Sequence, residues 1–568
     1  MIAMEKKKCK QCQKDFVVED EDFEFYKKMS PTFAGKVFEW PAPTLCPDCR
    51  AARRQVWRNE RRIYKRKSDK SGQDIVSIYA PEKTDYKIYG IDEWWADDWD
   101  GTQFGFEWDP NKKFFEQFDK LLKDVPRQAL YNTKTENCEF SNYIAECKNC
   151  YMTTVTFYKT ENTHYSYFAY QSKDNVDISF CNEAELCYEL VDGNKCFNCR
   201  YSNRLENCRN CYFCQDLIGC SDCILCDNLR NKQYCIENKQ LTAEEYQQKM
   251  SQMNFGSKKF VDECLDKYEA MRSSSIVKFV NTVKCDNCQG DNLRECKNVK
   301  KSFSSLRVEN SRYCLDQEDG KNIWDSEGGT YEWALEVNHT GFGQTFVVDS
   351  SVFYSNFMYY CESCYSCRDC FGCVGLRNKQ YYIFNKEYSK EEYEAKAGKV
   401  IEKMIADGEW GEYFPFSLSP FGYNETLAND HFPKNKEEAA KVGSRWQDDD
   451  HALKYDGPFY EPEDDIRAYQ TDEGKAKDLL AGILKCEKTG KPFKIMPQEL
   501  AFYLKGGIPI PREHYDVRFY ERFHVRNPKK FYHRQCMNAG CANEFKTTYS
   551  PDRSEKVYCE SCYQKSIG

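Results

Sequence analysis

Eight cysteines of this chain stand at spacings that suit a tetrahedral metal: Cys9-x2-Cys12 with Cys46-x2-Cys49 near one end, and Cys536-x4-Cys541 with Cys559-x2-Cys562 near the other. A CxxC pair takes one edge of a tetrahedron, and two pairs joined by a folded loop give one ion four thiolates. Two structural Zn2+ ions are expected, one per end. Four thiolates leave no coordination position for water or substrate, which excludes hydrolytic zinc chemistry at these sites. The chain shows no Ser-His-Asp order, phosphate loop or dinucleotide fingerprint.

The other cysteines crowd the middle. Of the 33 in the chain, Cys208, Cys211, Cys214, Cys220, Cys223 and Cys226 share a three-residue grid, a period that fits neither a helix nor an alternating strand. The run looks superficially like half of an iron–sulfur ligand set. A tandem copy argues against that reading, because Leu229-Arg230-Asn231-Lys232-Gln233-Tyr234 recurs 147 positions later as Leu376-Arg377-Asn378-Lys379-Gln380-Tyr381. At that offset Cys208 becomes Ser355, Cys211 becomes Met358 and Leu217 becomes Cys364. A slot that accepts all four types wants a small or apolar group, and a ligand could not be exchanged this way. Short rungs at fixed spacing predict a duplicated β-solenoid, with halves over 134–250 and 281–397. Asn207, Arg209, Asn210, Asp216, Ser221 and Asp222 suit its tight turns.

At 568 residues the chain exceeds one ordinary core. The expected layout is multidomain and mainly β. A zinc-ribbon module with a basic helix covers 1–105, solenoid halves with capping helices cover 106–260 and 261–410, an acidic connector covers 411–480, and a second zinc-ribbon module covers 481–568. Asp109-Pro110 reads as N-cap and first position of a helix running to Pro126, placed to cover the open end of the first half. Thr242 with Glu245, and Ser389 with Glu392, read as capping boxes of helices that follow each half. Trp410, Tyr413, Phe414, Phe416 and Phe421 are expected to pack back onto the solenoid. No apolar run is long enough to span a membrane, and the start lacks the apolar core of a signal peptide, so a cytoplasmic location with reduced thiols is expected.

The first fifty residues carry Cys9, Cys12, Phe16, Phe25-Tyr26 and Cys46-Pro47-Asp48-Cys49-Arg50, a set that resembles a zinc-ribbon family of treble-clef type. The resemblance implies a structural zinc and no particular activity; the whole chain is similar in layout to large, uncharacterised bacterial cysteine-rich zinc-ribbon proteins. The rear repeats the front: Cys486 falls on Cys9, Thr489 on Cys12, Phe493 on Phe16, Phe502-Tyr503 on Phe25-Tyr26, His514 on Cys46 and Arg518 on Arg50. Further on, Cys536 falls on Ser68. One ancestral unit with two zinc sites accounts for this, the front copy keeping the first site and the rear copy the second.

A mild net charge of −9 hides two basic ends. Arg50, Arg53, Arg54, Arg58, Arg61, Arg62, Lys65 and Arg66 crowd one helix-like segment, with Trp57 and Tyr64 seven residues apart on what would be one face. Arg518, Arg522, Arg526, Lys529, Lys530 and Arg534 repeat the pattern at the rear. Such segments suit phosphate backbones, with aromatics to stack on unpaired bases. Nucleic acid, RNA over DNA, is therefore the expected partner of a non-enzymatic protein whose solenoid serves as spacer and docking surface. Two alternatives stand beside it. One is a protein-interaction scaffold whose basic helices clasp its own acidic segments or a protein partner. The other is a polysaccharide-active solenoid using Glu185, Glu189, Glu332 and Glu336, against which their duplication speaks.

Overall fold

The computed structural model describes residues 4–448, 451 and 454–567. It is mainly β, 34% strand and 25% helix, with a β-solenoid of about 21 turns. The chain forms two compact units, each assembled from separated stretches: Met1–Leu130 with Val280–Asp450, and Tyr131–Phe279 with His451–Gly568. The first unit joins the N-terminal module to the second solenoid half, and the second unit joins the first half to the C-terminal module. The acidic stretch expected as one connector is divided between them; its Asp449 and Asp450 lie outside the described residues.

The coil is twelve residues long. Val176, Tyr188, Arg200 and Tyr212 are successive neighbours in one parallel ladder, as are Phe346, Met358, Cys370 and Tyr382 in the other. Every third residue turns a corner in the left-handed conformation: Asn207, Asn210, Phe213, Asp216, Gly219, Asp222 and Leu225 have φ between 52° and 66°. Each coil thus has four sides of three residues. Asn, Asp and Gly accept this geometry readily, whereas a Phe or Leu there costs about 1–2 kcal/mol that packing must offset. Of the six polar residues expected in turns, Asn207, Asn210, Asp216 and Asp222 hold corners. Arg209 and Ser221 instead open the strands Arg209–Tyr212 and Ser221–Ile224, because they fall two places past a corner. Corner amides also stack, Asn198 donating to Asn210 and Asn210 to Asp222, each at 2.9 Å.

The residue after each corner points inward, four to a coil, and Cys208, Cys211, Cys214, Leu217, Cys220, Cys223 and Cys226 are all fully buried. The Cys187 thiol lies 3.3 Å from the Glu185 carbonyl oxygen and 3.6 Å from that of Cys196. Ser202 donates its hydroxyl in the same pattern, to Arg200 at 2.7 Å and to Cys211 at 3.4 Å. Thiol and hydroxyl are interchangeable donors in one kind of slot. The thiol, behaving as a small hydrophobe with a weak donor, suits it with less desolvation.

Each half ends in the repeated LRNKQY motif because the chain there reverses. Gln233–Ile236 and Gln380–Ile383 pair antiparallel with Lys239–Gln240 and Lys386–Glu387 across Glu237-Asn238 and Phe384-Asn385, whose φ values are positive at both positions. The returning strand covers the open edge of the last rung. The helices Ala243–Met250, Lys258–Ser274 and Lys390–Asp407 follow, with Thr242 and Ser389 capped through Glu245 and Glu392 as expected.

The helix ahead of the first half departs from expectation. It spans Phe114–Asp124 and starts later than Asp109-Pro110, because the Asp109 carboxylate closes a local turn on the Asn111 N–H. Its Phe114 packs within the first unit on Tyr360, Phe371 and Phe384 of the second half, beside the buried Trp410, Tyr413, Phe414 and Phe416.

Candidate metal centres and the clamps that hold them

In the first unit Cys9, Cys12, Cys46 and Cys49 bring their Sγ atoms within 4.8 Å of one another, and in the second unit Cys536, Cys541, Cys559 and Cys562 do the same. The Cys12 and Cys46 sulfurs are 3.6 Å apart, those of Cys541 and Cys559 3.9 Å. A tetrahedron with metal–sulfur bonds of about 2.3 Å has edges of about 3.8 Å, so either quartet could hold a metal ion.

Local structure explains the convergence. Cys9 ends the strand Glu5–Lys8 in a knuckle where its N–H donates to Lys14 at 2.9 Å and Gln13 N–H returns to the Cys9 carbonyl at 3.0 Å. Cys46 is the N-cap of the helix Pro47–Gln55, with Cys49 in its first turn. In the rear module Cys536 follows the strand Tyr532–Gln535, and Cys559 precedes the helix Glu560–Ile567. A helix N-terminus favours thiolate charge. A hydrogen bond from Cys49 draws the Cys46 thiol down to about 5, and one from Ser561 does so for Cys559.

The two sites that duplication leaves without a full set of cysteines survive as knuckles. Cys486 N–H donates to Lys491 and Gly490 N–H to Cys486, the bonds seen at Cys9, while His514 caps the helix Tyr515–Val525 where Cys46 caps its counterpart. In the front module Ser68 N–H donates to Gln73 and Gly72 N–H to Ser68. The Ser68 hydroxyl donates to the Glu93 carboxylate, which also accepts from Gly90 N–H at 2.7 Å. Gly90 and Glu93 open the short helix Ile91–Trp95 as Cys559 and Cys562 open theirs. Hydroxyl and carboxylate thus take over the places of two sulfurs.

The basic segment behind the first quartet is not one helix. Pro47–Gln55 ends at Val56, and Tyr64–Lys67 is a strand paired with Asp74–Ser77, so Trp57 and Tyr64 share no helical face. Trp57 packs on Phe414, and the Tyr64 hydroxyl donates to Glu425. The helix turns its guanidiniums inward. Arg50 Nε lies 2.8 Å from Asp325 Oδ1 and Arg54 Nη1 2.7 Å from Glu336 Oε2, while Arg53 meets Glu412 at 2.5 Å and Arg58 meets Glu60 at 2.6 Å. Burial opposes the charge on Arg50, but Asp325 outweighs it and raises the guanidinium pKa further.

The rear module makes the same clamp on the other solenoid half. Arg518 lies 3.2 Å from Asp177 and 3.3 Å from Glu499, Arg522 lies 2.8 Å from Asp177 and 3.1 Å from Glu189, and Arg526 lies 3.2 Å from Asp192. Of the remaining cations singled out in the sequence, Arg66 is buried against Asp69, Arg61, Arg62, Lys529 and Arg534 are half-buried, and Lys65 and Lys530 are exposed. Glu189 and Glu336 belong to the clamps, which removes them from a glycoside-cleaving pair; Glu185 and Glu332 are exposed on the walls. Asp177, Asp325, Asp192 and Glu412 escaped the sequence reading. The available sign was that the arginines and the glutamates both recur.

The chain matches no family model, no curated protein and no solved structure. Among the described residues no helix is long and apolar enough to cross a membrane.

Proposed function

We propose that this chain is a non-enzymatic, zinc-stabilised scaffold, in which each tetrathiolate zinc module is locked by buried arginines to one solenoid half and the outer faces of the walls receive a protein partner. The observation that carries this reading is the burial of Arg50, Arg54, Arg518 and Arg522 against solenoid carboxylates, which makes the basic helices internal clamps. Soft thiolate donors in tetrahedral array favour Zn2+, and a closed coordination shell assigns it a structural role. A reducing cytoplasm suits the unpaired interior thiols. The test is metal content together with the ultraviolet absorbance ratio of full-length protein purified without chelator. Two zinc ions per chain and no absorbance excess are expected; stoichiometric co-purified nucleic acid would overturn the scaffold reading.

A second reading, nucleic acid with RNA favoured, draws support from two matching hairpins, Tyr64–Lys67 with Asp74–Ser77 and Tyr532–Gln535 with Glu544–Thr547. They carry the exposed Lys65, Lys67, His533 and Lys546. Retention on immobilised RNA that falls steeply with salt supports it, and no retention at low salt removes it.

A further inference from the structure

One wall of each solenoid half carries charges that alternate in sign from rung to rung. In the second half Asp286, Lys297, Glu309, Lys321 and Glu332 succeed one another, and in the first half Glu136, Lys148, Glu161, Lys173 and Glu185 do. All ten side chains are exposed, and the signs agree position by position. Rungs lie about 4.8 Å apart, so each charge has opposite neighbours along the wall. Lys148 lies 3.0 Å from Glu136, and Lys321 3.7 Å from Glu309. In the second half the column continues as Gln344, Asn356 and Arg368.

The corner beside this column differs between the halves. Lys195 and Asn207 of the first half are matched 147 positions later by Phe342 and Tyr354. Both aromatic residues take the left-handed corner geometry, with φ of 58° and 54°, which a bulky residue adopts only at a cost. Phe213 does the same at a corner where it is fully buried, but Phe342 is 49% and Tyr354 61% exposed. Their rings lie parallel with centroids 5.0 Å apart. An exposed apolar pair of this kind, rimmed by polar residues, marks an interaction surface. Along the same wall runs an open groove of about 650 Å³, bordered by Arg307, Glu309, Asp319, Lys321 and Phe342.

We propose that this wall of the second half is the contact face of a homodimer, in which two copies dock face to face with their solenoid axes antiparallel. The charges select that arrangement. A two-fold parallel to the solenoid axis would set every rung on its own copy, Lys297 on Lys297 and Glu309 on Glu309. A two-fold across the wall between Lys321 and Glu332 sets Lys321 on the second copy's Glu332 and Asp286 on its Arg368. Lys297 then meets Asn356, and Glu309 meets Gln344, eight rungs in all. A slip of one rung brings like charges together again. At the corner Phe342 enters the groove of the other copy at Arg307, whose guanidinium is a favourable neighbour for an aromatic face. Each contact occurs twice, as an isologous interface requires. Charged faces of this limited extent associate weakly and are screened by salt. The inference rests on the scaffold reading and names the partner of one wall.

The test is analytical ultracentrifugation of the full zinc-loaded chain over a concentration series, at about 0.05 M and about 1 M salt. A monomer–dimer equilibrium at low salt that shifts to monomer at high salt is expected. Glu332→Lys should weaken the dimer at least tenfold by facing Lys321 with a like charge, and adding Lys321→Glu should restore it. Phe342→Asn, which puts a residue suited to the corner there, should weaken it with zinc content unchanged. A monomer at low salt overturns the proposal, as does a dimer indifferent to Glu332→Lys, to Phe342→Asn or to salt, or one that the charge swap does not restore. A monomeric chain with two zinc ions and no nucleic acid would overturn the homodimer alone, whereas co-purified nucleic acid overturns the scaffold reading itself.

Discussion

Arg50 and Asp325, 275 residues apart, meet at 2.8 Å with neither side chain more than 2% exposed. Such a pair contributes little net stability as a unit, because desolvation consumes most of the Coulombic gain, but it cannot lose one member cheaply. Its value is positional: only one seating of the helix satisfies both charges.

Arg50→Met should therefore cost about 3–5 kcal/mol in urea unfolding, and Arg50→Met with Asp325→Leu should recover most of that. Arg522→Met should behave alike in the second unit, where Asp177 is left without its nearer cation. A single variant within about 1 kcal/mol of the parent would show that the clamp does not seat the module.

Cys49→Ser and Cys562→Ser should each release one zinc ion and expose only their own module to protease, since structural zinc supplies on the order of 10 kcal/mol of folding free energy. Metal analysis and mass mapping of the cleavage sites report this. Loss of both ions from either single variant would contradict independent sites.

Interior thiols should resist a thiol reagent in the native chain, whereas chelation should release the eight sulfurs of the two quartets. Cys211→Ser should change stability by about 1 kcal/mol or less. The hydroxyl inherits the Arg209 and Cys220 carbonyls that now lie 3.4 and 3.7 Å from the sulfur. Loss of folding in that variant would assign the central sulfurs a task beyond filling the bore.

Asp349 is fully buried inside the second half, accepting from Cys361 N–H at 2.7 Å and Val347 N–H at 3.0 Å, and burial pushes its carboxyl well above the usual range. The matching slot in the first half holds Ser202, which accepts from Cys214 N–H at 3.0 Å. A proton kept by the folded chain and lost by the unfolded one makes stability fall as pH rises above about 3.9, by at most about 1.4 kcal/mol per pH unit, until the buried carboxyl ionises. Asp349→Ser should remove that slope, its advantage over the parent widening as the pH rises above about 4. A difference independent of pH would rule out a retained proton.

The cysteine quartets were legible from spacing alone, because a tetrahedron demands paired ligands at each knuckle. The three-residue grid at Cys208–Cys226 revealed one side of the coil but not how many sides close it, since closure depends on the corner angle that φ sets. The direction of the arginines was hidden for a different reason. A cluster of positive charge states nothing about which face it occupies, and the acids that decide it, Asp325 and Asp177, lie far off in the chain.

The four-sided turn also acts as a ruler for evolution. Deleting three residues would rotate every later side by a quarter and carry the clamp carboxylates away from their arginines, while deleting twelve would shorten the wall with all faces kept. The doubled corner at Tyr158 and Lys159, where both residues have positive φ, shows how a lone extra residue is absorbed at a vertex. Natural length variants of this wall should accordingly come in multiples of a dozen, with stray single insertions confined to vertices.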